Sequence, residues 1–582
     1  MSLSETAGPR VGPASVTQSR AGWIAALLCL AALAAVLTTI GLALLWLWRN
    51  PVITGWDYLG HVNATLAEAA AVRAHDWGAA RDLFFLLERY QPPGLRLLGV
   101  PVALLFAHTP LTALRLAATA CFALTAVVLF AGLRRSAGVA GAAVAVLALA
   151  LAPVNITGAQ NFMTEQVLLP CAAFVLAMLA GELAADEARP SAAGVARLLV
   201  LGVALGWGTL TKLTFLPTLV LPWLGVAAYQ WTRRRDGGAL LLRLVLPGAL
   251  LLLIAWPAYA VNGTRYLGYA RATAAGFGFG FAMWPEHGAA FARRLAEGLA
   301  GEVFGPGGSA VTLLGLLLLA AGWRRAAPGA RVLAALCVLA SLPTLAAYCF
   351  GHNQTDRYLV LVTLLLGAAA GIGFGAALRG AVPLARALAA LAVLGAAAEL
   401  GMAWAIAFGQ PAANPLLAGI AYASTRANYA CDYRTLAART PPRDGPVRIG
   451  IFGETQAVNP NDVRYGYLRA GVAAEVVQFS DSSATAIDWA PVLRDAPQLD
   501  YVIEPVLAEG WYATIATNRA RDDFVARLPK VAEVTPMGEV STGPAPQCAV
   551  RLFAVHPLAG SPAPRRPPLA ADVFVPGWSE VR

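Results

Sequence analysis

Charge is what this 582-residue sequence has least of. Asp, Glu, Lys and Arg make up 13% of it and hydrophobic residues 58%, against ~25% and ~45–50% in an ordinary globular chain. A soluble enzyme, a disordered chain and a collagen-like one are all excluded by that balance. Lysine is almost missing: of 43 basic residues, only Lys212 and Lys530 are Lys. With Ala the commonest residue, this is the bias of a GC-rich bacterial genome. Cysteine is scarce and shows no metal spacing. Five of the seven (Cys29, Cys121, Cys171, Cys337, Cys349) lie in apolar runs and read as packing residues. The other two, Cys431 and Cys548, share the C-terminal part and could pair in an oxidising compartment. There is no Walker loop, no GxGxxG after a strand, no HExxH and no paired CxxC, so nucleotide hydrolysis and zinc chemistry have no support.

What the chain has in abundance is long apolar runs. A bilayer span needs ~20 apolar residues. Runs occur near 23–48, 111–133, 137–153, 165–183, 196–211, 214–231, 239–260, 307–322, 329–349, 357–378 and 384–408. With residues 1–22 cytoplasmic, five short loops fall inside and all are basic. They carry Arg134 and Arg135; Arg189 and Arg197; Arg233, Arg234, Arg235 and Arg243; Arg324, Arg325 and Arg331; and Arg379 and Arg386. Basic short loops belong on the cytoplasmic side. The first run is too long for a cleaved signal peptide and lacks a small-residue cleavage site after it. The expectation is a multi-span α-helical membrane protein of about eleven helices, residues 23–408, in a bacterial inner membrane. Its long first outer loop, 49–110, is broken by prolines, and the stretch 95–108 is too short to span and fits the outer interface.

The charge excess sits in this part alone. Residues 1–408 hold 27 basic against 16 acidic residues, and 409–582 hold 16 against 17. Nucleic acid is therefore not needed to explain the net +10. Residues 409–557 read as a soluble α/β domain on the outer, periplasmic side. Strands are predicted at Val447–Phe452, Glu475–Phe479, Tyr501–Ile503 and Val550–Val555, and helices at Arg464–Ala470 and Asp522–Leu528. Residues 558–582 are Pro-rich and read as loosely ordered.

Acids are so few in the outer half that each can be weighed. Asp57 follows closely on the first run, beside Trp56 and with His61 one turn on. A carboxylate there could take a proton from an attacking hydroxyl or amine, or could simply cap an interfacial helix. Glu165 stands at the mouth of the fourth run, where Thr164 as a cap and Glu165 in the first turn would suit the helix dipole. His352, Asp356, Arg357 and Tyr358 open the tenth run. Arg357 could snorkel to headgroups or, turned inward, hold a phosphate by two hydrogen bonds. Lys212 lies on the outer side, against the positive-inside trend, where snorkelling or an anionic ligand would explain it. Glu399 inside the last run is a functional candidate by default.

In this order the motifs resemble those of GT-C-fold membrane glycosyltransferases, in particular the branch with protein O-mannosyltransferases and lipid A aminoarabinose transferases. The motifs are Trp56-Asp57, Gln91-Pro92-Pro93-Gly94-Leu95, Met163-Thr164-Glu165, Leu210-Thr211-Lys212 and Asp356-Arg357-Tyr358-Leu359. The resemblance covers roughly residues 20–408. It implies sugar transfer from a polyprenyl-phosphate donor to a lipid, glycan or protein acceptor at the outer face. It makes Asp57 the catalytic base, has Glu165 assist the acceptor or bind metal, and puts Lys212 and Arg357 on the lipid phosphate. His61, Gln91, His352 and Tyr358 flank these motifs as further substrate-binding candidates. A divalent ion, if used, would fall to Asp57 and Glu165. The sequence departs from the usual pattern in three places. Asp57 is followed by Tyr58 rather than an acid, Gln91 precedes the Pro pair, and Glu165 stands where Asp is more frequent. These departures bear on sugar and acceptor identity. An O-antigen polymerase or ligase, and a flippase of lipid-linked sugars, remain as alternatives. The first would place its major loop between late spans, and the second would show inverted repeats.

Overall fold

The computed structural model describes residues 14–50, 56–87, 92–185, 190–274, 296–350, 356–380, 383–410, 417, 419–421, 431–442, 446–455, 457–479, 487–508, 516–543 and 546–559. For residues 14–21, 56, 57, 86, 87, 272–274, 350 and 468 only the backbone is described. Each of the eleven apolar runs lies in a helix. Among the described residues, eight helices are long and apolar enough to cross a membrane. The protein is a multi-pass membrane protein with a small C-terminal sheet.

The second and third runs share one of the eight, the 42-residue helix Pro110–Leu151, broken at Gly138. Gly138 has φ +76° and ψ 172°, a conformation that side chains other than glycine's resist. The break is a reversal. Near one end Arg115 donates to the Asn50 carbonyl at 2.8 Å, and near the other the Ala150 carbonyl accepts from Thr39 Oγ1 at 2.9 Å. Both partners belong to the C-terminal half of the first helix, so the two halves run antiparallel. The sixth run forms Phe215–Arg234 and the eighth only the 16-residue Pro306–Ala321, short for a full span.

At the centre stands Val360–Arg379, buried on nearly every side from Val360 to Ala377, with Leu366 alone in that stretch partly exposed. Its glycines and alanines let Pro110–Leu151 and Pro306–Ala321 pack closely. Thr164–Ala184 is the next most enclosed of these helices. It carries a buried acid near each end, Glu165 and Glu182, which are 17 residues and so ~26 Å apart. Glu182 takes Arg197 at 2.9 Å and Arg243 at 3.1 Å. The basic loop residues of the sequence thus neutralise an acid inside the bundle as well as marking a side.

Glu399 is likewise structural. It is buried, and one carboxylate oxygen accepts from the backbone N–H of Gly307 in the first turn of Pro306–Ala321. An acid at a helix N-terminus satisfies orphan amides and the dipole together.

The segment between the first two runs, expected as the long outer loop, holds the helices Trp56–Arg73, Trp77–Asp82, the π-helical Leu83–Leu87 and Gly94–Leu105. The last is amphipathic, with Leu95, Gly99 and Ala103 buried while Leu97 and Leu105 are exposed. A buried ion pair, Arg96 to Glu68 at 3.1 Å, ties it to Trp56–Arg73.

The C-terminal sheet has five strands: β1 Val447–Ile451, β2 Ala474–Gln478, β3 Tyr501–Pro505, β4 Ala532–Ser541 and β5 Ala549–Pro557. Their order is β2-β1-β3-β5-β4, with β1 parallel to β2 and β3, and β5 antiparallel to β3 and β4. Four strands match the sequence expectation and β4 was not expected. Pro536 and Gly538 interrupt its pattern, and the register shifts between them. An edge strand tolerates both. The helix Pro460–Arg469 docks this domain onto the outer loop. Asn63 Nδ2 donates to the Asn461 carbonyl at 3.1 Å, and Tyr465 packs among Leu59, Leu95 and Leu114.

Cys431 and Cys548 form a disulfide, their Cα atoms 5.4 Å apart across a sequence separation of 117. It staples the start of the domain to the turn before β5. In the chain-entropy view such a loop contributes about 4–5 kcal/mol. Reducing the bond in the full-length protein should lower the unfolding midpoint of this domain, read by limited proteolysis against temperature. An unchanged midpoint would contradict the assignment.

Candidate functional site

Three helix ends converge on one cavity. Thr164–Ala184 brings Glu165 in its first turn. Ala192–Thr211 ends at Lys212, whose backbone turns extended (φ −155°, ψ 137°) before Phe215–Arg234 begins. The 3-10 turn Asp356–Leu359, leading into Val360–Arg379, brings Arg357 and Tyr358. The Pro92-Pro93-Gly94 element fixes this corner from outside. A Cβ at Gly94 would sit 2.7 Å from the Leu210 carbonyl carbon and the Thr211 nitrogen, so only glycine admits this approach.

At the centre is an ion triad. Glu165 is 3% exposed. Its Oε1 accepts a short hydrogen bond from Lys212 Nζ and lies 3.8 Å from Arg357 Nε, while Oε2 accepts from Thr164 Oγ1 at 2.9 Å. Both cations also face Tyr358, with Lys212 Nζ 4.4 Å and Arg357 Cζ 5.6 Å from its ring centre. Thr164 does not cap this helix, since the N-cap is Met163 and carries no side-chain cap; Glu165 stands in the first turn and in addition pairs with both cations. Snorkelling does not account for Lys212, which is turned inward to a buried acid.

The cavity holds about 560 Å³. Its polar end is formed by His61, Thr164, Glu165, Lys212, Arg357 and Tyr358, and Leu213, Pro217, Leu267, Ala340, Pro343 and Ala347 make the rest largely apolar. Among the described lining residues one carboxylate, Glu165, stands against two cations, Lys212 and Arg357. A monoanionic head with an apolar tail is the ligand class this combination suits.

Of the residues singled out in the sequence, His61, Glu165, Lys212, Arg357 and Tyr358 therefore line one cavity. Asp57 lies in the first turn of Trp56–Arg73, one turn before the buried His61, and its side chain is outside the described residues. Gln91 and His352 also lie outside them.

The sequence profile of the family described as dolichyl-phosphate-mannose-protein mannosyltransferase matches residues 91–259. ArnT from Cupriavidus metallidurans, solved bound to undecaprenyl phosphate, matches with a TM-score of 0.53 at 16% identity, over 91% of this chain and 98% of that one. Its apo form gives a TM-score of 0.53 at 14% identity, over 92% and 98%. No curated protein matches by sequence. The fold is that of the GT-C glycosyltransferases.

The stretch matched by the family profile runs from the Pro-Pro element through Glu165 and Lys212. Asp57 and Arg357 lie outside it. Together the profile and the fold support a glycosyltransferase. As a metal ligand Glu165 does not fit, since its oxygens already serve two cations and a hydroxyl. Among the described residues no three His, Cys, Asp or Glu side chains are grouped to hold a metal ion.

Sequence reasoning passed over Tyr269, Thr344 and Tyr348, which also line the cavity. Tyr348 sits near the end of an apolar run, where an aromatic reads as an interfacial anchor. Only the packing of Pro328–Phe350 beside the Arg357 turn brings it to the site.

Replacing Glu165 by Gln separates ion pairing from capping. A glutamine in a first turn costs little, but here it leaves Lys212 and Arg357 without their acid. Breaking a fully buried pair costs ~3–5 kcal/mol. The partners here are 19% and 31% exposed, so about 1–3 kcal/mol is expected after solvent screening. Thermal unfolding in detergent reads this, and no loss of midpoint would return Glu165 to a capping role.

Proposed function

We infer that the chain transfers a sugar from a polyprenyl-phosphate-linked donor to an acceptor at the outer face of a bacterial inner membrane. The observation that carries this reading is the Lys212–Glu165–Arg357 triad at the polar end of a largely apolar cavity. In this reading the donor's prenyl chain lies along Leu213, Pro217, Leu267 and Pro343, and its phosphate meets Lys212 and Arg357. The solved relative's undecaprenyl phosphate is a lipid of the same class, which supports the reading.

The chemistry is a single displacement. Asp57 takes the proton of an acceptor hydroxyl or amine. The acceptor atom bonds to the anomeric carbon from the face opposite the phosphate, and the bond from that carbon to the phosphate oxygen breaks. The configuration inverts. The leaving phosphate gains negative charge as the bond breaks, so Lys212 and Arg357 hold the transition state more tightly than the ground state. Glu165 is then a positioning residue, which holds the two cations at a fixed spacing. The C-terminal domain stands over the outer loop and screens the acceptor side. The acceptor is a lipid, glycan or protein, and no step is assigned to a metal.

Two tests follow. Asp57→Asn should cut transfer by ~10²–10⁴ with polyprenyl phosphate still bound, whereas Lys212→Ala and Arg357→Ala should weaken that binding as well as turnover. Near-normal transfer by Asp57→Asn would remove the base assignment. A reporter active only in the cytoplasm, fused after Gln410, should stay silent. Activity there would reverse the sidedness.

A further inference from the structure

A second cavity lies at the opposite end of the bundle. It holds about 210 Å³ and is lined by residues from four helical segments. Ile24 and Ala25 come from the first helix, Ala137 to Ala140 from the Gly138 reversal, Leu378 and Arg379 from the end of the central helix, and Arg386 from the last. Arg379 stands 22 residues from Arg357, so along a helix the two sites are ~33 Å apart. That is about one hydrocarbon thickness.

Three features of this groove belong together. Among the described residues its walls are apolar, its charged residues are both arginines, and no carboxylate lines it. The Arg379 guanidinium is held at the reversal: its Nη2 donates to the Ser136 carbonyl at 3.3 Å, and a Cβ at Gly138 would come 3.0 Å from its Nη1, while Arg386 lines the same groove. Beside the groove Trp23 is 73% exposed and Val139 49% exposed. An exposed Trp next to Ile24 marks the headgroup level.

We propose that this groove binds an anionic glycerophospholipid. Its phosphate lies between Arg379 and Arg386, and an acyl chain runs over Ile24, Val139 and Leu378. Basic loop residues that only set topology need no cavity, and a purely apolar groove would hold any acyl chain. Two arginines without an acid over apolar walls select a lipid that has both parts, since Arg pairs with phosphate by paired hydrogen bonds. The inference is independent of the sugar-transfer reading, because it uses none of the residues of the first site. The bound lipid would add a contact across the Gly138 reversal.

The test uses the full-length protein in a neutral detergent. Phosphatidylglycerol, phosphatidylcholine and inorganic phosphate are added separately, and bound lipid is counted by native mass spectrometry alongside the thermal midpoint. Wild type should bind phosphatidylglycerol and gain thermal stability, with phosphatidylcholine and inorganic phosphate giving much smaller shifts. Arg386→Ala should bind it about tenfold more weakly, the loss of one charge-assisted hydrogen bond, and Arg379→Ala/Arg386→Ala more weakly still. Arg386→Lys keeps the charge but loses the paired geometry and should bind between wild type and Arg386→Ala. If the double variant does not fold, Arg386→Ala against Arg386→Lys decides alone. Equal binding by Arg386→Ala, equal stabilisation by phosphatidylcholine, or a shift by inorganic phosphate as large as the lipid's would each overturn the proposal.

Discussion

A carboxylate buried among apolar helices cannot stand alone, and the outer end of this bundle is organised by that fact. Glu165 is almost wholly enclosed, and two cations drawn from distant parts of the chain neutralise it. Lys212 and Arg357 are 145 residues apart, yet the acid fixes the spacing between them. Among the described residues, two cations answer this one anion at the cavity. The same pairing that makes the acid tolerable thus prepares a place for a phosphate.

The surrounding structure sustains this arrangement with rigid parts. The two most enclosed helices deliver Glu165 and the Arg357 turn at the same end. The Pro-Pro-Gly element presses on the Lys212 corner, and the Arg96–Glu68 pair anchors its helix to the one that carries Asp57 and His61. The far end repeats the electrostatic logic, with Glu182 between Arg197 and Arg243. One helix with a doubly paired acid near each end is clamped against sliding in its own bundle. The disulfide plays a similar part in the outer domain, closing it before it docks through Pro460–Arg469.

How much of this was legible depends on the range of the signal. The helices were readable because apolar runs and basic loops are local, and strands β1, β2, β3 and β5 because each is a short run rich in β-branched, aromatic or aliphatic residues. Strand β4 was missed since Pro536 and Gly538 break its alternation, which an edge strand permits. The turn between the second and third runs was expected at Arg134 and Arg135, and it falls at Gly138, just inside the third run. Glu399 looked functional because a lone acid in a span is costly. Its partner is a backbone amide of a different helix, which no pattern in the sequence announces. The convergence of Lys212, Glu165 and Arg357 was suggested by their common position at outer helix ends. Their pairing, and the presence of Tyr348 beside them, depends on helix packing and could be found only in the fold.

The account stands or falls on where the lipid phosphate goes. An experimental structure of the protein with polyprenyl phosphate bound measures this directly. The phosphate oxygens should lie within hydrogen-bond distance of Lys212 Nζ and the Arg357 guanidinium, with the prenyl chain along Leu213 and Pro343 and the Glu165 carboxylate behind the two cations. A phosphate seated elsewhere, with the triad closed upon itself and the cavity empty of lipid, would contradict it.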